Sequence, residues 1–180
     1  ISHFIGRKMP FKEVLGLVQR KWQKFGQIHI HSLEKRFYLF CFDHVSVGDK
    51  ILDSGPWDMW GIHLDLRKWV LGMSFCKDSL KSILVWVKLS NIPSELWTKA
   101  GLSYEASALG VPLCMDATTL AGTRVSSARI CVEMKATSNF LNSYKVRRRN
   151  GTLVGVVVQY AWKLTACPVC NVFDHSLKHC

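Results

Sequence analysis

The sequence predicts an α+β protein with two small folded units and a short metal-binding segment at the C-terminal end. Apolar residues recur at helical spacing in some stretches and alternate with polar residues in others, which indicates helices and strands along one chain. A stretch containing Gly, Ser and Lys (70–82) separates two such patterns. Three of the seven cysteines fall within the last fourteen residues, which indicates a local metal site rather than a disulfide framework.

The composition is that of a folded, basic protein. The chain has 180 residues, of which 48% are hydrophobic and 21% are charged, and this length is enough for one large domain or two small ones. Lys and Arg together number 24 against 13 Asp and Glu, which gives a formal net charge of +11. Such a surplus favours a polyanionic partner, either nucleic acid or an anionic membrane.

The membrane is the weaker alternative. The longest uninterrupted apolar stretches, such as 154–158, are far shorter than the roughly 18 residues that span a bilayer. No secretory signal or basic amphipathic membrane helix is visible. We therefore expect no membrane partner and an intracellular location, in the nucleus, the cytoplasm or both. Because the chain begins at Ile1 without methionine, we also expect it to be a fragment.

The first unit is predicted over residues 1–69. Apolar positions on one helical face begin at Phe11, and Gly26 is placed to end that helix in a left-handed conformation. The stretch 36–42 is apolar on both faces, which is typical of a strand inside a sheet. The predicted elements are a strand at 2–6, a helix at 11–25, strands at 27–31 and 36–42, a helix at 45–52, a turn at Gly55-Pro56 and a strand at 61–69. This βαββαβ order is the ferredoxin-like arrangement that RNA-recognition-motif (RRM) domains use.

The second unit is predicted over residues 83–162, after the connector at 70–82. It is another small α+β body of less certain topology, and Asn150-Gly151 predicts a hairpin with a type I′ turn. Its predicted elements are a strand at 83–89, a helix beginning near Pro93, a strand at 128–134, and the two hairpin strands at 144–149 and 152–160.

The segment 163–180 carries the most specific motif. Cys167, Cys170, His175 and Cys180 have the spacing C-x2-C-x4-H-x4-C. Three thiolates and one imidazole complete a closed tetrahedral shell for one structural Zn²⁺, with no position left for a substrate water. His179 is an alternative ligand that fits the spacing less well. A terminal disulfide with one spare thiol and an unmetallated tail are the other two alternatives.

The tail resembles a CCHC zinc knuckle of retroviral and retrotransposon nucleocapsids. The whole chain resembles a plant family in which a retrotransposon-associated domain of unknown function precedes such a knuckle. Asp174 stands where these knuckles usually carry glycine, which places a negative charge beside the expected nucleic-acid face. The pieces that carry the wider resemblance are Phe40–Asp43, Ile51–Trp57, Leu66–Trp69, Val85–Leu89, Ile92-Pro93, Leu96-Trp97, Gly110–Leu113 and Ala128–Glu133.

Several residues are candidates for nucleic-acid contacts. Phe173 is placed to stack on a base, although packing inside the knuckle is an equal alternative. Lys163 and Lys178 flank the metal motif and could neutralise phosphates. The run Arg147-Arg148-Arg149 is the densest basic stretch, and Arg147 and Arg149 would share one face of a strand. The alternative for this run is a solvated turn.

Base stacking on the sheet of the first unit is less expected than burial. The stretch from Arg36 to Phe40 is faintly similar to an RRM signature but lacks its glycines, so Tyr38 and Phe40 are expected in the core. The tryptophans at 57, 60, 69, 86 and 97 are likewise expected to serve packing or assembly.

Enzyme activity finds no support in the motifs. The sequence contains no phosphate-binding glycine loop, zinc-protease motif or nucleophile elbow, and its acidic residues are dispersed. His29 and His31 share a strand face without a third ligand, so we expect surface residues there. We expect no enzyme and no small-molecule substrate.

The sequence thus favours a zinc-dependent protein that binds single-stranded RNA or DNA with low sequence selectivity, similar to a retrotransposon nucleocapsid. In the main alternative, the two folded units are a protein-interaction or self-assembly module and the knuckle is an accessory. In a second alternative, the chain is the N-terminal part of a polyprotein that bears a reverse transcriptase beyond Cys180.

Overall fold

The computed structural model describes residues 1–5, 9–33, 37–55, 57–59, 61–72, 80–173, 175 and 177–180, without the side chains of Asp58 and His179. These residues form two compact units. The first unit comprises Ile1–Lys81 together with Ala166–Cys180, and the second comprises Ser82–Thr165. Features predicted at Gly6, Arg36, Pro56, Trp60, 73–79 of the connector and Asp174 lie outside the described residues.

The first unit contains a five-stranded antiparallel sheet and two helices. Its strand order is β2-β3-β1-β5-β4. The elements are β1 (Ser2–Phe4), α1 (Phe11–Trp22), β2 (Ile28–Ser32), β3 (Phe37–Phe42), α2 (Val45–Ser54), β4 (Trp57–Met59) and β5 (Ile62–Leu66). The mixed α+β class is confirmed, and β3 lies inside the sheet as its apolar faces predicted. The ferredoxin-like topology stays a prediction, with β4 as an additional strand at the edge.

One face of α1 fills the core of the first unit. Val14, Leu17, Val18 and Trp22 point inward, and the Trp22 ring meets other aromatic rings edge-on, with ring centres 5.1 Å from Phe40 and 5.3 Å from Trp57. Such edge-to-face pairs stabilise a core beyond the area that they bury.

Tyr38 and Phe40 also belong to the core of the first unit, as predicted. The Tyr38 hydroxyl donates a hydrogen bond to the backbone oxygen of Met9. Tyr38 and Phe40 are therefore buried in the core and are not exposed for stacking on bases.

The end of α1 differs from the prediction. The helix ends at Trp22, a 3-10 turn covers Gln23–Phe25, and Gly26 follows with φ 140° and ψ −172°. Gly26 therefore has the positive φ that favours glycine, but its ψ is extended instead of left-handed helical. The prediction of a left-handed cap was wrong in this respect.

The second unit contains another five-stranded antiparallel sheet, with the order β7-β8-β6-β10-β9. Alternate residues of β6 and β8, among them Val85 and Ile130, are fully buried and form the core. The elements are β6 (Ser82–Ser90), α3 (Lys99–Ser107), β7 (Val111–Met115), α4 (Ala117–Leu120), β8 (Ser127–Lys135), β9 (Ser143–Arg147) and β10 (Leu153–Tyr160).

The β9–β10 hairpin is confirmed, but its turn type is not. The amide of Gly151 donates to the carbonyl of Arg148 at 2.9 Å, and the amide of Arg148 donates to the carbonyl of Thr152 at 2.8 Å. Gly151 has φ 84°, whereas Asn150 has a negative φ. A type I′ turn needs positive φ at both central residues, so the loop is instead a turn over 148–151 whose last residue, Gly151, has a positive φ. Three residues thus separate the closing pair Arg148 and Thr152.

The two sheets share one strand order. In each sheet the first strand of the unit is central, the second and third strands form one side, and the fourth and fifth form the other. A helix of 12 or 9 residues follows the first strand in each unit. The units differ later, because α2 connects β3 to β4 whereas α4 connects β7 to β8. No exact sequence repeat accompanies this shared topology.

Gly110 allows the chain between α3 and β7 to pass closely over β8. A Cβ atom at Gly110 would lie 2.3 Å from the backbone oxygen of Glu133, whereas a Cβ at Gly155 would meet nothing within 4 Å. We therefore expect Gly110→Ala to destabilise the second unit by about 1–3 kcal/mol, because the backbone must move apart. Urea unfolding followed by tryptophan fluorescence measures this, with Gly155→Ala as the matched control. Equal stability of the two variants would contradict the close approach.

Candidate metal centre

A tight loop presents the first two cysteines of the metal motif. The amide of Cys167 donates to the carbonyl of Val172, and the amide of Asn171 donates back to the carbonyl of Cys167, both at 2.9 Å. Asn171 has φ 53°, a left-handed conformation that asparagine tolerates better than most residues. This folding brings the Cys167 and Cys170 side chains to the same side of the loop.

His175 and Cys180 complete the cluster. The ligand atoms of Cys167, Cys170, His175 and Cys180 all lie within 4.8 Å of one another, and Cys170 Sγ is 3.3 Å from His175 Nε2. Zn–S and Zn–N bonds of about 2.3 and 2.05 Å imply tetrahedral edges of roughly 3.5–3.8 Å between ligand atoms. The donor set and spacing therefore fit one tetrahedral metal ion, with no more than a small contraction.

The cluster differs in exposure from ligand to ligand. Cys167 is buried, His175 is half-buried, and Cys170 and Cys180 are exposed. Cys180 follows a single 3-10 turn at Leu177–His179, and its amide donates to the Leu177 carbonyl at 3.3 Å. The loop thus supplies the buried ligand Cys167, and the last turn supplies the exposed ligand Cys180.

Hydrogen bonds prepare one sulfur to receive a cation. The backbone amide of Cys170, assisted by the amide of Val169 and by neighbouring thiols, lowers the pKa of Cys167 to about 6. The pKa of Cys180 rises to about 11, because its thiol donates to the Cys167 sulfur. Thiolate is the form that binds metal, so binding must displace the remaining thiol protons and weakens as the pH falls.

The C-terminal segment packs as part of the first unit. The amide of Phe173 donates to the backbone oxygen of Leu80 at 3.2 Å, and Leu80, Val172 and Phe173 are all buried. Because a structural metal contributes its binding energy to folding, an ion at this site would also hold Ala166–Cys180 in the first unit.

The predicted stacking residue Phe173 lies inside this packing. Its side chain is 3% exposed, so stacking on a base would require the segment to leave Leu80. Val169 is 67% exposed and Lys178 is also exposed, so these two offer an apolar contact and a positive charge beside the cluster. Stacking on Phe173 stays a prediction.

The structure places the other predicted nucleic-acid residues in the second unit. Lys163 Nζ donates to Asn142 Oδ1 at 2.7 Å and lies 5.0 Å from the centre of the Tyr160 ring. Arg148 forms a bidentate ion pair with Glu95, at 2.9 and 3.1 Å, and this contact lowers the pKa of the Glu95 carboxyl.

Arg147 and Arg149 are exposed but do not share a strand face. β9 ends at Arg147, and Arg149 lies in the turn that follows. The predicted alternation was therefore wrong, because the three-residue loop begins one position earlier than a type I′ turn at Asn150-Gly151 would allow.

The sequence reasoning did not select Lys88 and Lys145. Both are exposed strand residues: Lys88 lies on β6 between buried Val87 and Leu89, and Lys145 lies on β9 between half-buried Tyr144 and Val146. The alternation of valine with basic residues in Val87-Lys88 and Lys145-Val146 was the signal that could have indicated them.

The histidine pair on β2 is a surface feature, as predicted. His29 and His31 are exposed, and His29 Nε2 is 3.9 Å from Asp43 Oδ1. In the described part of the chain, the cluster at 167–180 is the one group of three or more Cys, His, Asp or Glu side chains placed to hold a metal ion.

One family model matches the N-terminal part of the chain. Residues 1–76 match the family model of a domain of unknown function, DUF4283. No curated protein and no solved structure matches the chain. The resemblance to a domain of unknown function is therefore confirmed for the DUF4283 part. Among the described helices, none is long and apolar enough to cross a membrane.

The cluster should bind one metal ion per chain through three sulfurs and one nitrogen. Titration with Co²⁺ should give the absorption of a tetrahedral site with three thiolates, with saturation at one equivalent. His175→Ala should weaken this binding strongly, whereas His29→Ala should not, because His29 lies on β2 away from the cluster. Unchanged cobalt binding in His175→Ala would contradict the ligand assignment and favour His179.

Proposed function

We propose that this protein is a zinc-dependent binder of single-stranded nucleic acid with low sequence selectivity. The observation that carries the proposal is the convergence of Cys167, Cys170, His175 and Cys180 within 4.8 Å. Three thiolates and an imidazole are a typical set for structural Zn²⁺. With four protein ligands no coordination position is left for a substrate, so the proposed role of the metal is structural. The proposed function is binding and includes no catalytic step.

Nucleic acid is the partner that best matches the charge. The net charge of +11 favours a polyanion, and zinc knuckles are among the modules that bind unstacked bases. In the present packing, exposed Val169 offers an apolar contact for a base and Lys178 offers a charge for a phosphate. Low sequence selectivity follows, because phosphate neutralisation and stacking do not read base edges.

The wider proposal is a nucleocapsid-like protein of retrotransposon origin from a plant, acting in the nucleus, the cytoplasm or both. The DUF4283 match at residues 1–76 followed by a CCHC cluster supports it. A ferredoxin-like, RRM-like first unit is part of this proposal. It is supported by the position of β1 between β3 and β5.

A protein-interaction or self-assembly module is the second candidate, and one observation favours it. β7 is an edge strand of the second sheet, and its Val111 and Leu113 side chains are each 53% exposed. An apolar edge strand offers unpaired backbone groups and apolar contacts to another chain. Sedimentation of the metal-loaded protein over a concentration range tests this candidate.

Removal of the metal should weaken single-strand binding. We expect chelation, or the His175→Ala substitution, to lower the affinity for a single-stranded oligonucleotide at fixed salt, because the knuckle loses the fold that presents Val169 and Lys178. Fluorescence anisotropy measures the dissociation constant, and His31→Ala serves as the control. An affinity that survives chelation and His175→Ala would refute a zinc-dependent function.

A further inference from the structure

One face of the sheet of the second unit is exposed along β9 and β10, and we call it the open face. Residues of β10 alternate between the two faces, so that Val156 and Val158 are buried whereas Gly155 and Val157 are exposed. On the buried side α3 packs nearby, where the Tyr144 hydroxyl donates to the Glu105 backbone oxygen at 2.9 Å. The opposite face is accessible to a partner along β9 and β10, where it carries Gly155 and Val157, whereas Trp86 of β6 and Cys131 of β8 on the same face are buried.

Cations lie on both sides of β10 on this open face. On β9, Lys145 lies opposite Gly155 and Arg147 lies opposite Leu153. On β6, Lys88 lies opposite Gln159. On β8, Arg129 lies opposite Lys88. Because directly paired residues point to the same side of a sheet, all four cations belong to the open face.

The strand between these cations carries no charged residue. Leu153 and Val157 are 55% and 43% exposed, and a Cβ atom at Gly155 would meet nothing within 4 Å. A glycine inside a strand often marks a place where a ligand approaches the backbone closely. Asn91 Nδ2 donates to the Gly155 carbonyl at 2.7 Å, which holds this part of β10 in place.

Three of the four cations are available for a partner. Lys88, Lys145 and Arg147 are exposed, and none of them forms an ion pair with another residue that the structure describes. The guanidinium of Arg129 lies 4.5 Å from the centre of the Trp86 ring, which fixes its position on the sheet. Glu133 shares this face, but it lies four residues along β8 from Arg129, and it accepts a hydrogen bond from the Ser82 hydroxyl.

We infer that this face, formed by Lys88, Arg129, Lys145, Arg147 and the exposed side of β10, binds single-stranded nucleic acid. The inference rests on the proposed function and adds a second contact surface to the knuckle. The flanking cations neutralise phosphates, while unstacked bases lie over Leu153, Gly155 and Val157. These residues lie on the surface of a five-stranded sheet, and not on a helix or an isolated two-stranded ribbon that could enter the groove of a duplex, so a single strand is the form that fits.

The decisive experiment removes three cations without disturbing the fold. In the full metal-loaded chain, Lys88, Lys145 and Arg147 are replaced together by Gln. Each phosphate contact contributes about 0.7 to the slope of log affinity against log salt for single strands, so the slope should fall by about 2. The affinity should fall about 100-fold at 0.1 M salt.

A control variant separates local contacts from net charge. Lys12, Lys50 and Lys99 are exposed helix residues, and their joint replacement by Gln removes the same total charge. The slope of log affinity against log salt for this control should stay within a few tenths of the slope for the unsubstituted protein. A steric variant, Gly155→Ile, should also weaken binding, because it fills the open space above β10 without altering charge, and Ile favours a strand more than Gly does.

The outcomes separate this inference from the proposed function. If His175→Ala weakens oligonucleotide binding but the sheet variants do not, the second surface is refuted while the knuckle function stands. If neither affects binding, both are refuted. If the sheet variants lose affinity for polyglutamate but not for the oligonucleotide, the face serves an acidic protein and the inference is overturned.

Discussion

Convergence of three sulfurs and one imidazole nitrogen on a single point is the constraint on which the rest of this structure depends. A cation that replaces the thiol protons would stabilise a cluster of sulfurs this close together. The lowered pKa of Cys167 is consistent with this, because the loop already favours one thiolate. The same segment packs on Leu80 through Phe173. A metal bound at this cluster would thereby stabilise the first unit, whose two segments are separated in the chain by the entire second unit.

The shared strand order places different chemistry on two similar frameworks. In the first sheet, the side facing away from α1 carries exposed histidines on β2 and a buried Phe37, whose ring centre lies 4.9 Å from that of His3. In the second sheet, the corresponding side carries Lys88, Lys145 and Arg147 near Gly155, above which the structure leaves space. A common backbone topology does not determine function, so the accessible cations, and not the fold, indicate where a polyanion would bind.

The sequence was informative where a pattern is local. Alternation in β6 and β8 predicted those strands to within one residue at each end, and the C-x2-C-x4-H-x4-C spacing predicted a cluster that the fold assembles. β7 was missed because it is short and contains Pro112, and β4 because it has three residues. The burial of Phe173 depends on Leu80, which is far away in sequence, so no local pattern could reveal it. The open face of the second sheet likewise exists only once β6, β9 and β10 pair.

The most direct test of this account is a map of backbone amide chemical shifts of the metal-loaded chain during titration with a single-stranded oligonucleotide. The account predicts that the largest shifts fall on residues near the cluster, such as Val169 and Lys178, and on the exposed positions of β6, β9 and β10. Shifts confined to β7 and α3 would contradict it and favour protein assembly. The absence of any saturable shift at low salt would contradict nucleic-acid binding itself.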